Sequence, residues 1–114
     1  MVAKTYVPNR GDLVWIDLNP TRGREQAKVR PAIVISPKNY NQATSLAIMC
    51  PITSVHKGYP FEVEVKDKKV SGVVLADHVR SLDWRVRNVK FIAKAKPSVI
   101  SEVQTKLLLI VSAK

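Results

Sequence analysis

The chain has 114 residues, 46% of them hydrophobic, which is enough for one domain over residues 1–114 with a buried core. Lys and Arg number 19 against 9 Asp and Glu, so the formal net charge is +10, and this excess favours nucleic acid, an acidic protein or an anionic membrane surface as partner. The single cysteine, Cys50, excludes an internal disulfide. No apolar run approaches the ~20 residues that span a bilayer, which disfavours a membrane partner. The N-terminus lacks the apolar core of a signal peptide, so we expect a cytoplasmic location.

Three strands are predicted in the first half of the chain. Leu13 to Asp17 alternates around Trp15, which we expect in the core. Ala32 to Ile35 is a continuous apolar run, typical of a central strand buried on both faces. Leu46 to Cys50 is a third strand, and Pro51 is expected to close it.

Three further strands are predicted in the second half. Phe61 to Val65 alternates apolar with acidic positions, as a half-buried strand does. The charged turn 67–69 follows, and Gly72 to Leu75 is the expected partner strand. Lys90 to Ala95 alternates cationic and apolar positions and is the last predicted strand.

Pro97 opens the only convincing helix, because proline suits a first helical position where its missing N–H has no partner. One apolar stripe recurs at helical spacing: Ile100, Val103, Leu107, Ile110 and Val111. Leu108 and Leu109 widen this stripe, so part of it can cover a barrel mouth and part can meet a second subunit. Together the elements predict a mainly β fold, a small and strongly bent antiparallel sheet or barrel, with a C-terminal α-helix.

A long polar loop joins the first two strands. It carries four cationic side chains against one acid, Glu25: these are Arg22, Arg24, Lys28 and Arg30. A rigid sheet that presents a cationic loop is suited to grip a phosphate backbone near a reactive group.

Ordered motifs along nearly the whole chain resemble one known family. They are Gly11-Asp12-Leu13-Val14-Trp15, Asn19-Pro20-Thr21, Gly23-Arg24-Glu25-Gln26, Arg30-Pro31-Ala32, Pro51-Ile52-Thr53, Lys57-Gly58-Tyr59-Pro60-Phe61-Glu62-Val63 and Leu75-Ala76-Asp77. Each motif alone is weak, but the ordered set is specific. The chain resembles the MazF/PemK-type toxin endoribonucleases, and most closely the MazF branch.

The resemblance implies a fold and an activity. The fold would be the SH3-like PemK barrel, whose architecture gyrase-poisoning toxins share. The activity would be sequence-specific cleavage of single-stranded mRNA, which leaves a 2′,3′-cyclic phosphate and a 5′-hydroxyl and uses no metal or other cofactor. The implied partners are a second copy of the chain and a cognate antitoxin with an acidic C-terminal tail.

Arg30 and Thr53 are the first catalytic candidates. RNA supplies its own nucleophile, the 2′-hydroxyl, so the protein must align it and stabilise charge on the phosphorane. The planar guanidinium of Arg30 can hold two phosphate oxygens at once. The Thr53 hydroxyl could bond the scissile phosphate, or alternatively its own backbone at the strand end. The matching family positions are catalytic.

Glu25 is the third catalytic candidate, as the acid that positions Arg30, accepts a proton or bonds a base edge; the alternative is an exposed glutamate in a weak ion pair. Plasmid-encoded relatives carry a proposed acid–base His and an Arg where this chain has Arg24 and Leu75. The Arg30–Thr53 arrangement is therefore the safer transfer from the family.

RNA-binding candidates come from three parts of the chain. Arg24, Gln26 and Lys28 lie in the long loop, where cations can bind phosphates and an amide can read a base. Asn41 is a second amide that either reads a base or is an ordinary turn residue. The others are Lys57, Asp77, His78 and Arg80, with His56 and His78 as solvated polar residues in the alternative interpretation.

Two other functions use the same features. A toxin that poisons a protein target would stay toxic after loss of Arg30 and Thr53, since fold alone does not fix function. A non-catalytic RNA-binding module would bind RNA in a salt-sensitive way and make no new 5′ ends. A second basic cluster either adds a non-specific positive field for RNA or the antitoxin tail, or is only a solvated face: Arg85, Arg87, Lys90, Lys94 and Lys96. Trp84 beside Arg85 would then either stack a base or lie buried under the sheet.

Overall fold

A computed structural model describes residues 6–18 and 29–112, and β-strands dominate these residues. The elements are β1 (Asp12–Asp17), β2 (Val29–Val34), α1 (Lys38–Thr44), β3 (Leu46–Thr53), β4 (Glu62–Lys66), β5 (Ser71–Leu75), β6 (Arg80–Asp83), β7 (Lys90–Lys94) and α2 (Pro97–Val111). The strands are ordered β4-β5-β3-β2-β1-β7 with every pairing antiparallel, and β6 also pairs with β3. The predicted mainly β fold with a C-terminal helix is confirmed, and the sheet forms a half-barrel. No helix in the described ranges is both long and apolar enough to cross a membrane.

Strand β3 corrects the expectation that Pro51 closes the third strand, because the strand continues through it to Thr53. The first half of β3 pairs with β6, up to Met49 opposite Arg80. The last two residues pair with β5, with Ile52 opposite Val74. Pro51 lies between the segment that pairs with β6 and the segment that pairs with β5. Its missing N–H therefore removes no hydrogen bond to either of these two strands.

Two short elements were not predicted, and the expectation of a single helix is wrong. The α1 sequence is polar and has no apolar stripe, so tertiary contacts hold it: the Asn41 side chain is buried and donates to the Pro8 carbonyl at 2.8 Å. Strand β6 has only four residues, which is too few for alternation to be visible in the sequence.

The sheet buries a different apolar cluster on each face, as alternation along the strands requires. The inner cluster lies inside the half-barrel and comprises Leu13, Ile33, Ile35, Cys50, Ile52, Val63, Val65, Val70, Val74, Ala76, Ile92 and Val103. The outer cluster lies on the opposite face and comprises Val14, Ile16, Ala32, Val34, Ala47, Met49, Leu82 and Trp84. Trp15 was expected in the core but is 39% exposed, because its strand partners are Pro31 and Lys90 rather than members of either cluster.

Helix α2 closes the inner face. Val103 is fully buried, and Ile100 packs where a side chain on Gly11 would overlap it. Gly11 has φ +90°, a conformation that favours glycine, so the turn before β1 and the helix contact require the same residue. The C-terminal end of the stripe is different: residues 108–111 are exposed large apolar side chains in the single chain.

Candidate active site

Strand register brings Arg30 and Thr53 together. In the β2–β3 pair, Ala32 lies opposite Pro51, and the same register continued by two residues sets Arg30 opposite Thr53. Side chains two residues beyond a paired position lie on the same face of the sheet as that pair. Arg30 and Thr53 therefore lie on the same face of neighbouring strands, just beyond the last β2–β3 pair, Ala32 with Pro51.

Both side chains line an open pocket of about 490 Å³ at this end of the sheet. Leu18, which follows β1, and Val55, which follows β3, form parts of its wall. Arg30 is exposed and Thr53 is half-buried, so a cation and a fixed hydroxyl face the same solvent-filled space. We call this space the Arg30 pocket.

Among residues 6–18 and 29–112, the Thr53 hydroxyl has one hydrogen bond. Its oxygen accepts a hydrogen bond from the Val55 backbone N–H at 3.2 Å. This is the side-chain-to-backbone bond that we considered as the alternative to a catalytic role. A hydroxyl has one donor hydrogen as well as its acceptor lone pairs. The bond to Val55 therefore orients the oxygen and leaves the O–H able to donate to a phosphate oxygen, so the two interpretations are compatible.

Gly72 on β5 is a residue of this site that sequence reasoning missed. A Cβ at position 72 would overlap the Thr53 carbonyl oxygen and would crowd the Thr53 carbonyl carbon. Strand β5 can approach the end of β3 this closely only without a side chain at that position. The signal in the sequence was a glycine inside a predicted strand, which marks close approach of another backbone.

Two arginines hold the end of β1 beside the pocket. Arg80 donates from Nη1 to the Leu18 carbonyl at 3.3 Å, and Arg87 donates from Nη1 to the Asp17 carbonyl at 2.9 Å. Arg80, an expected RNA-binding residue, is thus half-buried and bonded to backbone that lines the Arg30 pocket. Four other expected site residues, Arg24, Glu25, Gln26 and Lys28, fall in 19–28, outside the described residues.

Three expected site residues, Lys57, Asp77 and His78, lie together with Tyr59 and Glu62, which were not singled out in the sequence as site residues. We call these five residues the Asp77 cluster. The Tyr59 hydroxyl lies 3.1 and 3.3 Å from the two Asp77 carboxylate oxygens, and His78 Nε2 lies 3.9 Å from one of them. The Glu62 carboxylate accepts the backbone N–H groups of Lys57 and Gly58 at 2.9 and 3.0 Å. Desolvation, and then the bond to Asp77, raise the pKa of Tyr59 above its ordinary value.

Asn41 corrects the expectation of a base-reading amide. Its side chain has no exposed surface, and its Nδ2 donates to the Pro8 carbonyl at 2.8 Å and the Ser36 carbonyl at 3.0 Å. Its backbone carbonyl accepts the indole N–H of Trp84 at 3.0 Å. Trp84 is itself buried in the outer cluster with the Arg85 guanidinium 4.8 Å from its ring centroid, so its structural alternative is the correct one.

Comparison with known proteins identifies the family. A family model of PemK-like, MazF-like toxins of type II toxin–antitoxin systems matches residues 9–111. The chain belongs to this family. The endoribonuclease toxin MazF of Escherichia coli strain K12 is 43% identical over 102 residues, which are 90% of this chain and 92% of that protein.

Solved structures of MazF agree with this assignment. MazF from Deinococcus radiodurans matches with a TM-score of 0.86 and 50% identity, over 96% of this chain and 100% of that one. A MazE–MazF complex from the same organism contains a chain that matches with a TM-score of 0.85 and 46% identity, again over 96% of this chain and 100% of that one. The half-barrel described above is therefore the MazF fold, and the Arg30 pocket is a feature of a PemK/MazF-family chain.

Proposed function

We propose that this protein is a type II toxin that cuts single-stranded RNA at specific sequences without a metal ion. The observation that carries the proposal is the placement of Arg30 and Thr53 on one face, in one open pocket, of a chain in the PemK/MazF family. The relative from E. coli is named an endoribonuclease, which supports the same reaction for this chain.

The reaction needs little covalent chemistry from the protein. The RNA 2′-oxygen attacks the adjacent phosphorus, so an O2′–P bond forms and the P–O5′ bond breaks. The 2′-hydroxyl loses its proton and the departing O5′ gains one, which leaves a 2′,3′-cyclic phosphate and a 5′-hydroxyl. The enzyme must therefore align the 2′-hydroxyl, accommodate two proton transfers and stabilise the extra negative charge on the phosphorane.

Arg30 and Thr53 supply the charge stabilisation in this proposal. The Arg30 guanidinium binds two non-bridging oxygens and carries the compensating positive charge. The Thr53 hydroxyl, whose oxygen the Val55 N–H orients, donates to the same phosphate. Glu25 from the loop is the proposed partner for a proton or for Arg30 itself.

The remaining candidates bind the RNA strand on either side of the phosphate that is cut. Within the Asp77 cluster, Lys57 contributes an exposed positive charge, Asp77 offers an acceptor to bases, and His78 offers a ring. Arg24, Gln26 and Lys28 complete the contacts from the loop. Arg80 acts through Leu18, which it holds at the pocket wall, as well as through its charge.

The proposed partners follow from charge and from exposed apolar surface. A net charge of +10 suits an antitoxin with an acidic tail, and the Deinococcus relative is solved in complex with MazE. The exposed apolar end of α2, residues 108–111, suits a second copy of this chain in a homodimer. A cytoplasmic location would give the enzyme access to mRNA.

The test is cleavage of a long RNA by purified protein in EDTA, with end-group analysis of the fragments. We expect cuts at a short recurring sequence with 5′-hydroxyl ends, a loss of at least about 10²-fold in Arg30→Ala, and partial activity in Arg30→Lys, which keeps charge but loses the planar fork. Arg85→Ala is the matched control, because Arg85 is exposed and lies against Trp84 rather than in the pocket. Intact RNA, or equal cutting by Arg30→Ala, would contradict the proposal.

A further inference from the structure

A second open pocket, of about 700 Å³, lies at the other end of β1. Its lining residues include two aromatic residues, Tyr6 and Phe91, and three lysines, Lys38, Lys90 and Lys94. We call it the Tyr6–Phe91 pocket, and its volume is within the range of pockets that bind small molecules and single residues of polymers.

The floor of this pocket is a satisfied polar network. Asp12 is only 2% exposed, and its Oδ2 accepts hydrogen bonds from the Tyr6 hydroxyl at 2.5 Å and the Asn9 N–H at 3.0 Å. Its Oδ1 lies 3.1 Å from the Lys94 ammonium group. Because protein groups already use both carboxylate oxygens, the pocket presents rings and positive charge to a ligand rather than an acid.

The rings leave an apolar surface open. Tyr6 and Phe91 meet edge to face, with centroids 5.7 Å apart and planes at 61°, and Phe91 remains 47% exposed. An exposed ring can stack a nucleobase, and lysines beside it can bind the neighbouring phosphates as point charges. An aromatic platform with a cationic rim is the arrangement that single-stranded nucleic acid requires.

The Tyr6–Phe91 pocket shares a sheet face with the Arg30 pocket. Asp12 is two residues from Val14 of the outer cluster, and Arg30 is two residues from Ala32 of the same cluster. Both therefore point to the outer face. Asp12 lines the Tyr6–Phe91 pocket and Leu18 lines the Arg30 pocket. The six residue steps of extended chain between them span about 20 Å, which is the approximate separation of the two pockets. About six stacked nucleotides, or fewer in an extended strand, cover that distance.

We propose that the Tyr6–Phe91 pocket is an auxiliary subsite for single-stranded RNA. One base stacks on Phe91 and the adjoining phosphates bind Lys38 and Lys90, while a distant part of the same strand occupies the Arg30 pocket. The proposal rests on the function proposed above and adds that RNA several nucleotides from the cut contributes to affinity. Its signature is a dependence on substrate length that Phe91 controls.

The test is binding of 2′-O-methyl oligonucleotides, which lack the attacking hydroxyl and so separate binding from cleavage. One probe has about 5 nucleotides centred on a mapped cut, and the other extends it to about 16. We expect Phe91→Ala to weaken the long probe about tenfold and to leave the short probe unchanged. We expect Lys90→Ala to lower the slope of log K against log salt for the long probe by about 0.7.

Matched controls and a competitor decide the outcome. Tyr40→Ala removes an exposed ring and Lys68→Ala an exposed charge outside both pockets, and neither is expected to alter binding of the long probe. Equal binding of the long probe by Phe91→Ala would overturn the proposal. We would also measure how Phe91→Ala changes the affinity for a polyglutamate peptide. A larger loss of affinity for the peptide than for the RNA would overturn the proposal too, because it would assign the pocket to an acidic protein. Loss of length dependence in Phe91→Ala together with uncut RNA in the cleavage assay would retain the subsite and reject the nuclease.

Discussion

The Arg30 pocket and the Asp77 cluster were both expected to act on RNA, and the structure builds them in different ways. Arg30 and Thr53 lie in neighbouring strands, where Arg30 is paired with Ile16 of β1 and Thr53 with Val73 of β5. Asp77 and its neighbours lie in the loops beside β4 and β5, except for Glu62 at the start of β4, and they bond chiefly to one another and to loop backbone.

This difference teaches which group is suited to which task. A reaction needs groups held within fractions of an ångström of a moving charge, which strands provide better than loops. Reading a base or holding a phosphate tolerates adjustment, which loops provide. We therefore expect changes in the Arg30 pocket to lower kcat and changes in the Asp77 cluster to alter KM and cutting preference.

The largest contrast is expected between Thr53→Val and Asp77→Asn. Valine keeps the shape of threonine but has no hydroxyl, so kcat should fall about 10²-fold with little change in KM. Asp77→Asn keeps an acceptor for Tyr59, so kcat should stay within about threefold while KM or sequence preference changes. Single-turnover cleavage over a range of RNA concentrations measures both. Thr53→Ser, which restores the hydroxyl, is the control, and an equal kcat loss in Asp77→Asn would remove the distinction.

The second contrast concerns Gly72, which touches the backbone of Thr53 and none of the substrate. Gly72→Ala forces β5 and β3 apart, which should cost about 1–3 kcal/mol of unfolding free energy and lower kcat about tenfold or more. Val103→Ala, in the inner cluster, is the control for stability alone, at about 2 kcal/mol. Full kcat in Gly72→Ala at a temperature where it is folded would show that Thr53 tolerates displacement.

Cys50 lies in β3 between the two regions, and its thiol is 3.8 Å from the Ala76 carbonyl. Burial, and secondly the negative charge of Asp77, raise the pKa of Cys50 from 9.0 to about 12. Above pH 9 the unfolded chain loses this proton and the folded chain keeps it, so the free energy of unfolding should fall by about 1.4 kcal/mol per pH unit.

Denaturant unfolding between pH 8 and pH 10 measures this slope. The Cys50 contribution is complete below pH 9 and is lost as the pH rises towards 12. Cys50→Ala should lower stability at neutral pH, since it removes a buried group, and should flatten the slope above pH 9. An unchanged slope would mean that the thiol titrates at its ordinary value in the folded protein.

The smallest effect is expected at Lys57. If it binds one phosphate as an exposed point charge, Lys57→Ala should weaken RNA binding about threefold, reduce the salt slope by about 0.7 and leave kcat unchanged. Lys68→Ala removes an exposed lysine in the 67–69 turn and is the matched control. A loss of kcat at Lys57 would place the Asp77 cluster in the reaction itself.

The bounds of several strands and one helix, and two catalytic candidates, could be predicted from local patterns and family motifs. Alternation located β1 and β4, and the proline with its apolar stripe located α2, within a residue or two. The motifs pointed to Arg30 and Thr53, and the structure has both side chains lining one pocket at the ends of β2 and β3. The pairing itself could not be predicted, because register depends on which strands meet and not on the residues of one strand.

Other features depended on tertiary contacts that no local pattern contains. Asn41 lies in a helix with the polar composition of a surface helix, yet its side chain is buried. Hydrogen bonds with Pro8, Ser36 and Trp84 hold Asn41 in place. Trp15 lies in an alternating apolar segment, which is typical of a core residue. It is nevertheless exposed, because the inner cluster includes Leu13 of β1 but does not extend to Trp15. Gly72 carried a signal, but its meaning required knowing that Thr53 lies across from it.

The most direct measurement of the central claim is a double-mutant cycle on cleavage. Arg30→Lys, Thr53→Val and the double variant would be compared by single-turnover rates on one short RNA with a mapped cut. If both residues stabilise the same phosphorane, the double variant should lose far less than the product of the two single losses. Single losses that multiply would contradict the claim, because Arg30 and Thr53 would then act independently of one another.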